Sequence, residues 1–450
     1  MNRKYTLLIT FLVIFLLAGC NNQIVKEQPP VEVPKKVVDL TNINKDDVAE
    51  NINGYNLSDD ERLTDIVHAN ILADFSKKLG TQVLTADETS GVTILEKYSS
   101  TLPEGISNNV QYKFYDLGFN YFLITNENGY GIKEKPSQNS AIIQNMNYLE
   151  KVSLVERVQG EEVESSNIWY RVLFLKGKEL KTGYVHSSAG IARRFRYEEM
   201  QNAVIDLIQE LAEGGLNFIS NYKNYNGAPP NKNNDEVDEY GYRSFHSAPA
   251  YIEDSTSSEF RYIPDGILVR ILDETDEFYH VYVPTFGSDF FVPKQYINKD
   301  EKLNRLTNVV VIDRKQQNQA AFEVVDNGLS LISYTLSTTG LPGQHSYETT
   351  LGSYKAIEKK DRFLYAQKGT DEIAGYAPFA IRFTGGAYIH GVPVEFLEQN
   401  GERIDPGNVE YLHTIGTFPR SSMCVRNYTS HAKFLYEWMD LENGAVIVIE

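Results

Sequence analysis

Hydrophobic and polar positions divide the 450-residue chain into stretches of different period. An apolar run from Tyr5 to Leu17 follows Arg3 and Lys4 and ends in Leu17-Ala18-Gly19-Cys20. It is shorter than the roughly 20 residues a membrane-spanning helix needs, and small residues precede Cys20, so residues 1–19 are predicted to be a cleavable export signal. Residues 20–38, polar and proline-containing, show no period and read as a tether. Within 39–125, Ser58-Asp-Asp-Glu61 offers a capping box ahead of Leu63, Ile66, Val67, Ile71, Leu72 and Phe75, and a small, mainly helical region is expected. From residue 126 the period becomes that of short strands: Leu149 to Glu156, Trp169 to Phe174, then Gly183-Tyr-Val-His186, bounded by turn residues. Residues 126–194 are predicted to form a small antiparallel barrel. A helical connector is expected over 195–235, where Val204, Leu207, Ile208 and Leu211 recur at helical spacing. Residues 236–300 then repeat the strand pattern in degenerate form, as Gly241 to Pro249, Pro264 to Leu272, Phe278 to Val283 and Phe290 to Tyr296. The last region, 305–450, opens with Asn308 to Asp313, turns at Asn327-Gly328 between alternating runs, and closes with the apolar Ala445 to Ile449, predicting a β-rich domain. The fold class is therefore multidomain and mainly β.

Charge narrows the partners. The formal net charge is −18; loss of Arg3 and Lys4 with the signal makes it −20, and no basic run of five or more occurs, which argues against nucleic acid. Cysteine count is more informative, because only Cys20 and Cys424 exist. No disulfide framework is possible, and an unpaired thiol in an exported chain is an oxidation liability that asks for a reason.

Two fragments supply candidate chemistry: Ala387-Tyr-Ile-His390-Gly391 and Pro419-Arg-Ser421-Ser-Met-Cys424-Val-Arg426-Asn427. A cysteine nucleophile needs a base and a group that orients the base. His390 fits the base, since Gly391 lets the backbone approach closely and leaves a carbonyl to hold one ring nitrogen, and an imidazolium beside Cys424 would favour the thiolate. The bland alternatives are a structural cysteine and a histidine satisfied inside a strand. His413 is a second candidate imidazole, whereas His431 shares a helix face with Phe434, Leu435 and Trp438 and reads as packing. No spacing of the usual zinc types and no glycine-rich phosphate loop occurs, so neither metal nor cofactor is inferred.

Three resemblances rest on these residues. Leu17-Ala-Gly-Cys20 resembles the lipobox of bacterial lipoproteins, which implies lipidation of Cys20 and an anchor in the cell membrane at its extracytoplasmic face. Both strand-rich repeats resemble SH3-like (SH3b) wall domains, which implies binding of wall peptide or glycan; spacers are the alternative. The stretch from Val309 to Ile449, with His390-Gly391, Ser421 to Arg426 and Thr349-Thr-Leu-Gly352, is similar to the catalytic domain of L,D-transpeptidases (YkuD-like). That likeness implies an acyl-enzyme on Cys424, His390 as base, an oxyanion site at the amides of Met423 and Cys424, and Ser421 and Arg426 toward the substrate, which would be a peptidoglycan stem peptide. Ser422 stands where the family has histidine and Met423 where it often has glycine. Val392 to Gly416 lengthens the interval between His390 and Cys424 and reads as an inserted charged segment, either a lid or a solvated loop. Competing functions are a papain-like wall peptidase, disfavoured because His390 precedes Cys424, and a non-catalytic wall-binding lipoprotein.

Overall fold

The computed structural model describes residues 36–41, 43, 48–49, 66–68, 92–98, 101–112 and 119–450, apart from 177–178, 233–236, 327, 344–345, 368–369, 371 and 412–413. The export signal, Cys20 and His413 lie outside the described residues. The architecture is mainly β, and among the described residues only Tyr197–Ala212 (α1) and Thr429–Trp438 (α2) are α-helical. No described helix is long and apolar enough to cross a membrane.

Five strands open the first sheet: Tyr130–Lys133 (β1), Ile142–Met146 (β2), Lys151–Val163 (β3), Ser166–Lys176 (β4) and Glu179–His186 (β5). They neighbour one another in the order β3-β4-β5-β1-β2, and β3 is extended on its far side by Tyr121–Ile124, Thr93–Lys97 and, beyond Tyr121–Ile124, Gly190–Arg193. The sheet thus starts before residue 126. A second set follows α1: Ser247–Tyr251 (β6), Phe260–Pro264 (β7), Leu268–Glu274 (β8), Phe278–Val283 (β9) and Ser288–Pro293 (β10). Its order, β8-β9-β10-β6-β7, is that of the first set strand for strand. A short 3₁₀ turn follows the last strand in each, at Ser187–Ala189 and Lys294–Tyr296.

The C-terminal region builds two further six-stranded sheets. One contains Asn308–Asp313 (β11), Asn318–Val325 (β12), Gly328–Leu336 (β13), Gly352–Lys355 (β14) and Gly444–Ile449 (β19), in the order β14-β19-β11-β12-β13, with Ile106–Tyr112 added in parallel to β13. The other contains Glu358–Ala366 (β15), Ile373–Thr384 (β16), Ala387–His390 (β17) and Val425–Arg426 (β18), in that order, with Val48–Ala49 on the outer edge of β15. β11 and β19 pair in parallel, and parallel strands are ordinarily buried on both faces. Their sequences show it: Val310, Ile312, Val446 and Val448 feed one core, while Val309, Val311, Ala445 and Ile447 feed the other, the period-two alternation of a pleated strand. β12 and β13 form the expected hairpin, with Val325 opposite Gly328.

Three expectations are corrected. Ile66–His68, inside the segment read as helical, is a strand paired with Val409–Tyr411; a waiting sheet edge overrides the local helical period. The connector helix α1 ends at Ala212, before Gly214 (φ 147°) and Gly215, because two glycines are poor helix continuers. The segment Val392 to Gly416 is not a solvated loop: Val394–Glu395 pairs with β16, Leu397–Gln399 with Glu402–Asp405, and Val392, Val394 and Ile415 are buried.

Candidate active site

Strand pairing brings the two chemical fragments together. β17 and β18 are parallel neighbours with Ile389 opposite Val425 and His390 opposite Arg426, and the Asn427 amide donates to the His390 carbonyl at 2.8 Å. Cys424 therefore sits at the mouth of the strand beside the one that ends in His390. Gly391 continues from there under α2: a Cβ on it would lie 3.0 Å from Thr429 Cα and 3.0 Å from Pro378 Cγ, so a larger residue would push the strand off the helix.

The imidazole of His390 is buried, and its Nδ1 lies 2.6 Å from the Gly391 carbonyl. A carbonyl can only accept, so the proton is on Nδ1 and the Nε2 lone pair is open. Burial, aided by the Arg426 charge and opposed by the Gly391 bond, lowers the His390 pKa to about 3. Burial likewise pushes the Cys424 thiol up to about 11, against the lowering effects of the Tyr388 backbone and of the Arg426 and Arg243 charges. Both shifts oppose the thiolate and imidazolium pair expected from the sequence. Thiol Sγ donates to the Gly386 carbonyl at 3.6 Å.

Around the thiol is a cavity of about 30 Å³, with Phe363, Tyr365, Ala377 and Pro393 on its apolar side and Gly386, His390, Ser421, Ser422 and Arg426 on the other. That is room for about one water. Cys424 retains partial exposure, and the Phe363 ring lies edge-on to His390, 5.2 Å between centroids.

The loop leading to Cys424 is tightly held. Met423 has φ 64°, where a glycine suffers no steric penalty and a longer side chain does. The Cys424 amide donates to the Ser422 carbonyl at 2.8 Å and the Met423 amide to the Tyr347 carbonyl at 2.8 Å. An i to i+2 bond across a positive-φ residue is a tight, strained turn. Both amides expected to form the oxyanion site are thus engaged in this state. Thr349 Oγ1 donates to the Met423 carbonyl at 2.8 Å and accepts from the Gly340 amide at 2.8 Å, while Ser421 Oγ donates to the Cys424 carbonyl. Ser421 is therefore a loop brace. Arg426 is buried and donates to the Arg420 carbonyl at 3.3 Å.

His431 lies elsewhere, hydrogen-bonded to Ser333 Oγ at 3.0 Å and tilted against the Tyr112 ring at 5.1 Å between centroids; it packs α2 and takes no part in the pocket. No cluster of three or more metal-binding side chains occurs among the described residues. Sequence reasoning missed Gly386, Phe363, Tyr365 and Pro393, which carry no motif and reach the thiol only through the pairing of β15, β16 and β17.

Residues 307–449 match the family model described as YkuD, the L,D-transpeptidase catalytic domain. The C-terminal region is an L,D-transpeptidase-type catalytic domain. No curated protein matches the chain. Similar solved structures include an L,D-transpeptidase from Stackebrandtia nassauensis (22% identity, TM-score 0.23, covering 32% of this chain and 56% of that one) and L,D-transpeptidase 3 from Mycobacterium tuberculosis (15%, 0.25, 40% and 77%). A third is a fused zinc-dependent amidase/peptidase/peptidoglycan-binding protein from Clostridium acetobutylicum (13%, 0.22, 32% and 52%). The chain spans about half the length of the Clostridium and Stackebrandtia proteins. Assignment of the transpeptidase domain rests on the family model and on the residues of its pocket.

Proposed function

We propose that the transpeptidase domain acts on peptidoglycan stem peptides through a Cys424 acyl-enzyme. The observation that carries this reading is the His390 imidazole: buried, held through Nδ1 by the Gly391 carbonyl, and lining the same small cavity as the only thiol among the described residues. His390 Nε2 takes the thiol proton as Sγ bonds to the stem carbonyl carbon. The tetrahedral intermediate collapses with that proton passing to the departing amine, so a terminal amino acid leaves and a thioester remains. An amine from a neighbouring stem, or water, then attacks the thioester and returns the proton through His390, restoring the thiol.

Two features of the resting site must change on the way. A stem peptide is larger than the cavity, so Phe363, Tyr365 or Pro393 gives way as it enters. The Cys424 amide has to exchange the Ser422 carbonyl for the oxyanion, an exchange that a strained turn makes easier than a regular one would. Arg426 is the cation that holds a substrate carboxylate. At the other end, lipid on Cys20 would hold the chain at the extracytoplasmic face, and the two sheets of shared strand order would serve as SH3-like wall-binding modules.

The engaged amides and Met423 at φ 64° favour a second reading, a wall-binding lipoprotein whose enzyme domain has fallen silent. Intact mass distinguishes them. Incubation with a stem tetrapeptide or a carbapenem should add one acyl group to the chain, none to Cys424→Ala, and add it at least about 100-fold more slowly to His390→Ala. A folded parent chain that stays at its own mass with every acyl donor supports the silent domain instead.

A further inference from the structure

We propose that Asp265, in the second sheet region and outside the matched catalytic domain, is a positioning residue for the Cys424 thiol. The turn that joins β16 to β17 contains Gly385 and Gly386, and it is the Gly386 carbonyl that accepts the thiol's hydrogen bond at 3.6 Å. Asp265 Oδ2 accepts from the Gly385 amide at 3.1 Å and from Arg382 Nη1, two residues short of the turn on β16, at 2.5 Å. Its other oxygen accepts from the Asn221 amide at 2.8 Å, so the carboxylate bridges the connector after α1 to the active-site turn.

This is a built contact. Asp265 is 2% exposed and Arg382 8%. The neighbouring Gly266 (φ 85°) lies against the backbone of β16 so closely that a Cβ there would meet the Phe383 carbonyl at 1.9 Å. Arg382 also bonds Glu358 at 3.1 Å and lies over the Tyr222 ring at 4.5 Å. The same region reaches the other side of the thiol through Arg243, whose guanidinium sits 5.0 Å from the Tyr347 ring, and Tyr347 is the residue whose carbonyl holds the Met423 amide. Gly385 and Gly386 are the two residues between Thr384 and Ala387, which pair across the hairpin, so a carboxylate that holds the Gly385 amide leaves this short turn, and with it the Gly386 carbonyl, few directions to take. The direction of the Gly386 carbonyl sets where the thiol hydrogen lies, and so where Sγ presents itself to an incoming carbonyl carbon. Misplacement of a reacting atom by about 1 Å is enough to cost a large factor in rate.

The test uses the full chain and two variants. Asp265→Ala removes the acceptor but strands a buried guanidinium. Asp265→Ala combined with Arg382→Met removes both charges, an exchange that buried pairs often tolerate, and decides the matter if the single variant does not fold. The first readout is the S–H stretching band of Cys424 by infrared difference against Cys424→Ser, which cancels any contribution of Cys20. The band is expected to move to the frequency of a thiol without a hydrogen bond. The second is acylation by a carbapenem: the maximal rate is expected to fall about 10-fold or more, with the half-saturating concentration changed by no more than about twofold. A band at the parent position in a folded variant overturns the proposal, as does a shifted band with parent acylation rates. The kinetic readout rests on the proposed acyl-enzyme chemistry; the infrared one does not, so a parent chain that never acylates defeats that chemistry while the band still decides the role of Asp265.

Discussion

The two antiparallel sheet regions share one strand order and differ in what their cores touch. The first has a core of its own, with Ile132, Val152, Leu154, Val172 and Val185 packed on Phe122 and Ile124. It meets the catalytic domain through the opposite face of Tyr121–Ile124, where Tyr121 and Leu123 join a neighbouring core, and through bonds such as Arg193 to the Thr417 carbonyl at 2.9 Å. The second has no separate core. Ala248, Ile263, Val269, Val281 and Val292 share one apolar cluster with Val310, Ile381, Ile389, Val425 and Val448 of the transpeptidase domain. One topology thus serves once as an attached module and once as part of the enzyme body, and the difference lies in whether its apolar residues close on one another or on those of the neighbouring domain.

The sharpest way to break this contrast is a matched pair of truncations. Ile263→Ala and Ile132→Ala each open a fully buried site at a cost of about 2–5 kcal/mol. Ile263→Ala is expected to lower the denaturant concentration at which Cys424 becomes open to alkylation, followed by mass, and Ile132→Ala to leave it at the parent value. Equal shifts in the two would mean that the first sheet is no more separate than the second.

An effect of comparable size is expected with pH. Burial lowers His390 and His431 to about 3, below the unfolded value near 6.5. In that window the unfolded chain binds more protons, so the stabilisation is complete above pH 6.5 and is lost as pH falls toward 3, by up to about 1.4 kcal/mol per pH unit for each histidine. Both histidines belong to the transpeptidase domain. Calorimetry from pH 7 down to 4 should show the transition of the domain that holds them moving to lower temperature, and one that does not move would contradict the neutral imidazole of His390.

The thiol titrates in the opposite sense. Cys424 is raised to about 11, so its ionisation, read by thiolate absorbance against Cys424→Ser, is expected well above pH 9, whereas a midpoint below 8 would restore the thiolate and imidazolium pair. Its contribution to stability is present below the unfolded value near 9 and declines as pH rises through 11.

Smallest of all should be Met423→Gly. Glycine relieves a positive φ worth about 1–3 kcal/mol and forfeits a buried side chain worth about 1.5–3 kcal/mol. Chemical denaturation should place the variant within about 2 kcal/mol of the parent, with acylation faster because the Cys424 amide is less tightly held. A slower reaction would show that the turn is needed as it stands.

Much of this was legible in the sequence where local period and motif agree. The apolar run Val309 to Ile312, the hairpin at Asn327-Gly328 and the repeat beginning at Gly241 all follow from spacing, and His390-Gly391 and Ser421 to Arg426 mark the pocket. What stayed hidden depends on pairing at long range. Ile66 and Val67 sit at helical spacing in the sequence and become a strand because Val409–Tyr411 is there to receive them. The fate of the Met423 and Cys424 amides is set by a positive φ and by Tyr347, neither of which a motif displays. Asp265 lies among turn residues that read simply as Pro264-Asp-Gly, and only the fold shows it beside Gly385.

The parallel pairing of β11 with β19 has a kinetic consequence. Asn308 to Asp313 opens the transpeptidase domain, yet the partner that covers one of its edges is Gly444 to Ile449, more than a hundred residues later in synthesis. Contacts of such separation close slowly. A chain emerging N-terminus first during synthesis would deliver the first sheet region ready to fold while the central strand of the other half still waits for its neighbour, an interval in which a helper that shields an open strand edge would matter most.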